Sequence, residues 1–290
     1  MSTVLPLKTE STPKQLVGSN ILIMGSGGTG KTYSLGTAVD WAAANDKEVF
    51  ALFTENSLET LLGYWLDRGK PVPECLHYHQ ALTKPLSLAS LISGADMVGR
   101  LSYEAVTKMQ DPNRGGEANS FWKILKACSD FPDDRTGKTF GPIDKFDGSK
   151  IFIIDSLTEL SNSCMKMVIG NKPTAAPPDY GVAQNNLMNF LRLVTQGVPC
   201  TFIITAHTDR LLDEMTQSNK TMVKSIGRAL ANDIPPLFSD VIQSVREGDK
   251  FYWDTAGFGV DTKTRSLGYR SKIEPNFAQI LDLWKKRAAV

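Results

Sequence analysis

Gly25-Ser26-Gly27-Gly28-Thr29-Gly30-Lys31-Thr32 reads GSGGTGKT, a complete phosphate-binding loop of the form G-x-x-x-x-G-K-[ST]. An apolar run, Asn20 to Met24, leads into it, and a helix-like run, Thr32 to Ala44, leads out. This strand–loop–helix context gives the motif its meaning. Glycines let backbone amides curl round a β-phosphate with no Cβ in the way. The N-terminus of the following helix adds a favourable dipole for an anion. Gly25 to Tyr33 are therefore the candidate nucleotide-binding residues. Lys31 is expected to reach the β- and γ-phosphates, and the Thr32 hydroxyl to ligate Mg²⁺, with ATP the expected nucleotide.

Outward from the loop, three further apolar runs end in polar residues. Glu48 to Thr54 ends at Glu55, Lys150 to Ile154 at Asp155, and Thr201 to Thr205 near His207. Asp155 is expected to hold the Mg²⁺ shell with Thr32. Glu55 is the preferred group to polarise the attacking water, with Glu159, one helical turn after Asp155, as the alternative base. His207 is placed to contact a γ-phosphate. His77 and His79 alternate on a presumed strand, Leu76 to Gln80, and carry no assigned role.

The remaining elements follow from pattern. Asn56 with Glu59 three residues on resembles a capping box opening a helix through Leu66. From about Ala81 to Ser149 the chain is less regular, with helical patterns at Leu86 to Met109 and Ala118 to Phe131, and reads as a lid-like insertion. Thr208 to Ser225 is polar and is expected to be a mobile loop. Two alternating strands, Asp240 to Arg246 and Lys250 to Thr255, flank a hairpin turn at Glu247-Gly248-Asp249. The last helix, Glu274 to Arg287, puts Phe277, Ile280, Leu281 and Trp284 on one face. Strands alternating with helices predict an α/β fold, a mostly parallel sheet covered on both faces with an antiparallel hairpin at its C-terminal edge. Residues 1–18 are expected to be a polar, flexible arm and residues 19–290 one ATPase domain that carries this insertion.

Two apparent motifs are decoys. Trp253 to Gly257 reads WDTAG, a GTPase switch sequence, but no guanine-reading N-K-x-D accompanies it. Gly137-Lys138-Thr139 lacks the upstream glycine, since Pro132 stands there.

Composition excludes other classes. The 290 residues carry a formal net charge of +1, so no global basic field advertises nucleic acid. Cys75, Cys128, Cys164 and Cys200 form no C-x-x-C pair and, with three histidines, no zinc pattern. No apolar run approaches membrane-spanning length, and the N-terminus lacks a signal-peptide core. A cytoplasmic protein with reduced thiols and no membrane partner is expected.

The order of these motifs resembles the RecA-like recombinase core: a phosphate loop, a strand ending in a catalytic Glu (VFALFTE), a strand ending in Asp-Ser (IFIIDS) and a strand ending in a γ-phosphate sensor (TFIITAH). That family usually has Gln where His207 stands. TAHTDR, IGRALANDIPPLFSDVI and IEPNFAQIL are similar to the phage-encoded RecA-core ATPases of the Sak type, linked to single-strand annealing and phage recombination. The resemblance covers about residues 20 to 282 and is weakest between Ala81 and Ser149. It implies an ATPase acting on single-stranded DNA in phage recombination or replication, in the host cytoplasm if phage-encoded. It implies a homo-oligomer, ring or filament, with Arg270 or Lys272 acting in trans on a neighbour's nucleotide, and a single-strand binding protein as a further partner. Under it, Lys172, Tyr180, Arg210, Lys220 and Lys224 are the DNA-binding candidates, with phosphate contacts from the cations and a stacking ring from Tyr180. The alternatives are an ATP-driven switch or loader that binds protein partners without DNA, and a metabolic kinase with an acceptor pocket in the insertion.

Overall fold

The computed structural model describes residues 19–82, 87–108, 120–170, 174–213 and 218–288. The N-terminal arm, Lys172 and the DPNRGG turn lie outside the described residues. The chain runs β1 (Asn20–Met24), α1 (Lys31–Ala43), β2 (Glu48–Phe53), α2 (Leu58–Leu66), β3 (Leu76–Gln80), α3 (Leu88–Gly99), α4 (Tyr103–Lys108) and α5 (Ser120–Ser129). It continues through β4 (Lys150–Asp155), α6 (Leu157–Ile169), α7 (Pro177–Arg192), β5 (Thr201–Ala206), β6 (Thr208–Asp213) and β7 (Ser218–Val223). The last elements are α8 (Gly227–Asp233), β8 (Asp240–Glu247), β9 (Lys250–Asp254) and α9 (Ala278–Ala288).

Seven strands form one sheet in the order β3-β2-β4-β5-β1-β8-β9. All neighbours are parallel except β8 and β9, which make the antiparallel edge. This is the expected α/β arrangement, and WDTAG sits at the end of β9 as part of that hairpin.

Side-chain alternation sorts the strand residues into two buried layers. Leu22, Phe50, Leu52, Phe152, Ile154, Phe202 and Ile204 meet α5, α6, α7 and α8 on one face. Ile21, Ile23, Val49, Phe53, Ile151, Ile153, Ile203 and Trp253 meet α1, α2 and α9 on the other. Both layers are dry: Ile21 to Met24 and Val49 to Phe53 are 0% exposed. Each such side chain contributes roughly 1.5–3 kcal/mol over exposure, which is why these runs contain no polar residue until they leave the sheet. Registered rings reinforce the first layer, Phe152 lying stacked on Phe202 at 5.7 Å.

The segment between β3 and β4 has two characters. Helix α3 buries none of its residues. Helix α5 instead inserts Phe121, Ile124, Ala127 and Cys128 into the first layer, followed by Phe131 and Phe146. The turn after α5 also closes the exposed edge of the sheet. Tyr78 N donates to Asp133 Oδ1, Gln80 N to Asp134 Oδ2, and Asp134 N to Tyr78 O. His77 and His79 take part in this clasp, at 3.1 Å from Asp133 and 2.8 Å from Asp134. Satisfying the edge amides in this way blocks pairing with another strand.

Two local expectations are corrected. The capping box at Asn56 does not form: Ser57 occupies the N-cap of α2 and makes no side-chain cap bond. The polar stretch after His207 is not an irregular loop. Its described residues form an antiparallel ladder from Thr208↔Val223 to Asp213↔Ser218. Thr221 N donates to Gly259 O at 2.7 Å, and Lys220 pairs with Asp261 at 2.8 Å, which docks the hairpin onto the segment after β9. The ladder and this dock hold it together with Met222 and Val223, which are buried in the first layer.

Candidate nucleotide site

The site lies where β1 ends, between β5 and β8, at the carboxyl ends of the parallel strands. Crevices in open α/β sheets form at such a switch of strand order. Alternation aims the polar residues. Ile153 and Phe53 face α1, so two residues further on Asp155 and Glu55 lie on that same side, beside the phosphate loop. Ile203 places Thr205 and His207 likewise.

The loop has the shape an oxyanion needs. Gly28 and Gly30 take φ of +71° and +82°, which L side chains avoid. A Cβ added at Gly27 or Gly28 would meet nothing within 4 Å, so the space over these amides is open. Gly25 is different: a Cβ there would sit 2.5 Å from Ser244 O of β8. Ser244 Oγ donates to Thr29 O at 2.7 Å and Thr29 Oγ1 to Ser26 O at 2.9 Å, fixing the loop from outside. Lys31 is 6% exposed, and its Nζ donates to Gly25 O and Ser26 O at 2.9 and 2.8 Å. Burial pulls its pKa down, opposed by the charges of Asp155 and Glu55.

Asp155 is 1% exposed. Burial raises its pKa, and three hydroxyl donors work against that shift. Thr32 Oγ1 and Ser57 Oγ donate to its Oδ2 at 2.8 and 2.7 Å, and Thr205 Oγ1 donates to its Oδ1. Thr54 Oγ1 both donates to Ser156 O and accepts from Ser156 N, at 2.9 Å each, tying β2 to the end of β4. The residues fit a magnesium–nucleotide pair: an open amide cradle, a lysine at its base, and a hydroxyl bonded to a buried carboxylate whose hydrogen-bond donors among the described residues are hydroxyls. Among the described residues no group of three or more His, Cys, Asp or Glu could hold a metal by itself. A Mg²⁺ here would be held by Thr32 and Asp155, with phosphate and water oxygens completing its shell.

Glu55 lies 3.5 Å from His207 Nε2. The imidazole beside it holds the Glu55 carboxyl below its ordinary range, against a smaller upward effect of burial. His207 is fixed through its backbone: its N–H donates to Thr158 Oγ1 at 2.9 Å and its carbonyl accepts from Lys224 N at 2.8 Å. Glu159 lies elsewhere in its contacts, 2.9 Å from Asn162 Nδ2 and 3.9 Å from Lys166 along its own helix.

The other candidates are dispersed. Tyr180 is 42% exposed in the first turns of α7. Arg210 is exposed on β6, Lys220 pairs with Asp261 on β7, and Lys224 follows β7. Arg270 is exposed beside Thr255, while Lys272 pairs with Glu247 at 2.7 Å at the tip of the β8–β9 hairpin. Tyr33, last of the loop candidates, turns its ring toward Tyr64 at 5.2 Å.

Sequence reasoning missed Ser57, Thr205 and Ser244. Each is a small hydroxyl, Thr205 within β5, Ser244 within β8 and Ser57 at the N-cap of α2. Its use depends on cross-strand register, which a single run of sequence does not carry. The signal for Thr205 was a polar residue closing an otherwise apolar strand.

The comparisons agree with this geometry. The family model described as an AAA domain matches residues 18–269. No curated protein matches the chain. Among the described residues no helix is long and apolar enough to cross a membrane. With a phosphate loop after β1, a buried acid ending β4 and a family match over most of its length, the chain belongs to the AAA-domain family of P-loop ATPases.

Proposed function

We propose that the protein is a Mg²⁺-dependent ATPase of the RecA-like type that works on single-stranded DNA in phage recombination or replication, as the Sak-type resemblance implies. The observation that carries the reading is the Glu55–His207 pair, 3.5 Å apart beside the phosphate loop. Glu55 orients and polarises the attacking water. The imidazole keeps its carboxyl ionised, so its role is positioning and electrostatic more than strong base catalysis. Lys31 stabilises charge on the transferring phosphoryl group, and Thr32 and Asp155 hold the metal that supplies further charge neutralisation.

His207 then reports on the γ-phosphate. Its carbonyl accepts from Lys224 N at the base of the β6–β7 hairpin, and Thr158 at the start of α6 holds its amide. A shift of His207 is thereby passed to the hairpin that carries Arg210 and Lys220. Those residues, with Lys224, Lys172 and Tyr180, are the proposed DNA contacts. One subunit with a net charge of +1 binds DNA weakly, so a ring or filament that aligns several hairpins supplies the avidity. Arg270 or Lys272 would complete a neighbour's site in that assembly, and a single-strand binding protein would be a further partner.

The test is ATP turnover with and without single-stranded DNA, alongside sedimentation with an ATP analogue. Stimulation by DNA and an oligomer support the proposal. Turnover indifferent to DNA favours an ATP-driven switch acting on protein partners instead.

A further inference from the structure

We infer that Phe251 is the shelf on which the base of the bound nucleotide stacks; the inference rests on nucleotide binding at the phosphate loop. The sheet order gives the nucleotide its direction. Asp155, Glu55 and His207 belong to strand ends on one side of β1, at β4, β2 and β5. The γ-phosphate end, which needs the metal and the water-orienting group, therefore points to that side. The nucleoside end leaves on the opposite side of the loop, where β1 has β8 as its other neighbour.

The β8–β9 hairpin extends there past the end of β1. Phe251 lies on the same face as Trp253, two residues on, which is fully buried among α1-side residues. One turn of strand further out, Phe251 reaches Gly30 at the start of α1: a Cβ on Gly30 would lie 3.0 Å from Phe251 Cδ1. The residue is nonetheless 40% exposed. The guanidinium of its strand partner Arg246 lies over the ring, 5.7 Å from the centroid, with Nε tethered to Gly248 O at 2.8 Å. A partly exposed aromatic ring beside a nucleotide loop, with a tethered guanidinium over it, is suited to stacking with a planar base. Stacking of this kind accepts any base, so the shelf adds affinity for the nucleoside without choosing among bases.

The test is calorimetric titration of the full chain with Mg-ADP and, separately, with magnesium pyrophosphate. Phe251→Leu keeps an apolar group over Gly30 but removes the aromatic face. It is expected to weaken ADP about tenfold while leaving pyrophosphate unchanged. Phe251→Trp should restore ADP binding. Equal weakening of both ligands by Phe251→Leu would mean that Phe251 only shapes the loop, and no change in either would mean that the base lies elsewhere; each result overturns the inference. Wild-type protein binding neither ligand would instead remove the nucleotide site itself.

Discussion

Replacing Gly36 by Ala sets two effects of opposite sign against each other. Gly36 lies inside α1, where Ala is favoured by about 1 kcal/mol on helix propensity. The space for its methyl group is already taken. A Cβ there would lie 2.3 Å from Tyr64 Cγ, 2.4 Å from Cδ1 and 2.7 Å from Cδ2. Carbon atoms prefer about 3.5–4.0 Å, so the ring would have to move by more than about 1 Å. It has little freedom to do so. Its hydroxyl donates to Asp40 Oδ2 at 3.0 Å, Arg68 stacks 4.1 Å from its centroid, and Tyr33 and Trp65 pack edge-on at 5.2 and 5.1 Å. Overpacking costs about 1–3 kcal/mol, and losing the Asp40 bond about 1 kcal/mol more. The clash wins, and Gly36→Ala should lose about 2 kcal/mol in urea unfolding followed by tryptophan fluorescence. In a Tyr64→Leu background the same substitution should cost much less. Because α2 follows Glu55 and Ser57 directly, ATP affinity should fall in parallel. A Gly36→Ala protein more stable than wild type would refute the packing argument.

Thr205→Val is nearly isosteric but leaves buried Asp155 Oδ1 without its hydroxyl. It should destabilise by about 1–3 kcal/mol in chemical denaturation at neutral pH, and by less in acid, where Asp155 takes up a proton. Glu55 has a folded pKa below its ordinary 4.5, so its contribution is present above that value and lost as pH falls through the lower folded value. The thermal midpoints of wild type and Glu55→Gln should therefore converge as the pH is lowered through and below 4.5; a gap that widened instead would reverse the sign. Cys128, Cys164 and Cys200 are buried, with thiols pushed up to about 12. Iodoacetamide at neutral pH should leave these three unmodified in the native chain and label them after unfolding, as mass spectrometry would read out. Labelling at the native rate of an exposed thiol would contradict their burial.

Much of this site was legible because a parallel sheet buried on both faces imposes a strict code. Runs such as IFIID and TFIIT stay apolar until they leave the core, so the first polar residue marks a strand end at the ligand crevice. The phosphate loop then says which crevice. What was not legible depends on partners far apart in sequence. The sequence points to Asn56 as the cap of α2, whereas Ser57 takes the N-cap position and donates to Asp155, 98 residues away. Thr208 to Ser225 looks like a loop because its strands pair with each other and dock through Gly259 and Asp261, partners that the local sequence does not name. From sequence alone the half-buried helix α5 reads as part of a lid-like segment. Its apolar face, Phe121, Ile124, Ala127 and Cys128, becomes meaningful only when the sheet layer beneath it is known.

The central claim is that Lys31 and the amides before it grip a triphosphate and stabilise its transfer. Steady-state phosphate release from Mg-ATP by wild type and Lys31→Ala tests it most directly. Wild type should turn over ATP and the variant should lose about 10²-fold or more, as when a charge aimed at the transition state is removed. Equal turnover by the two proteins would contradict it.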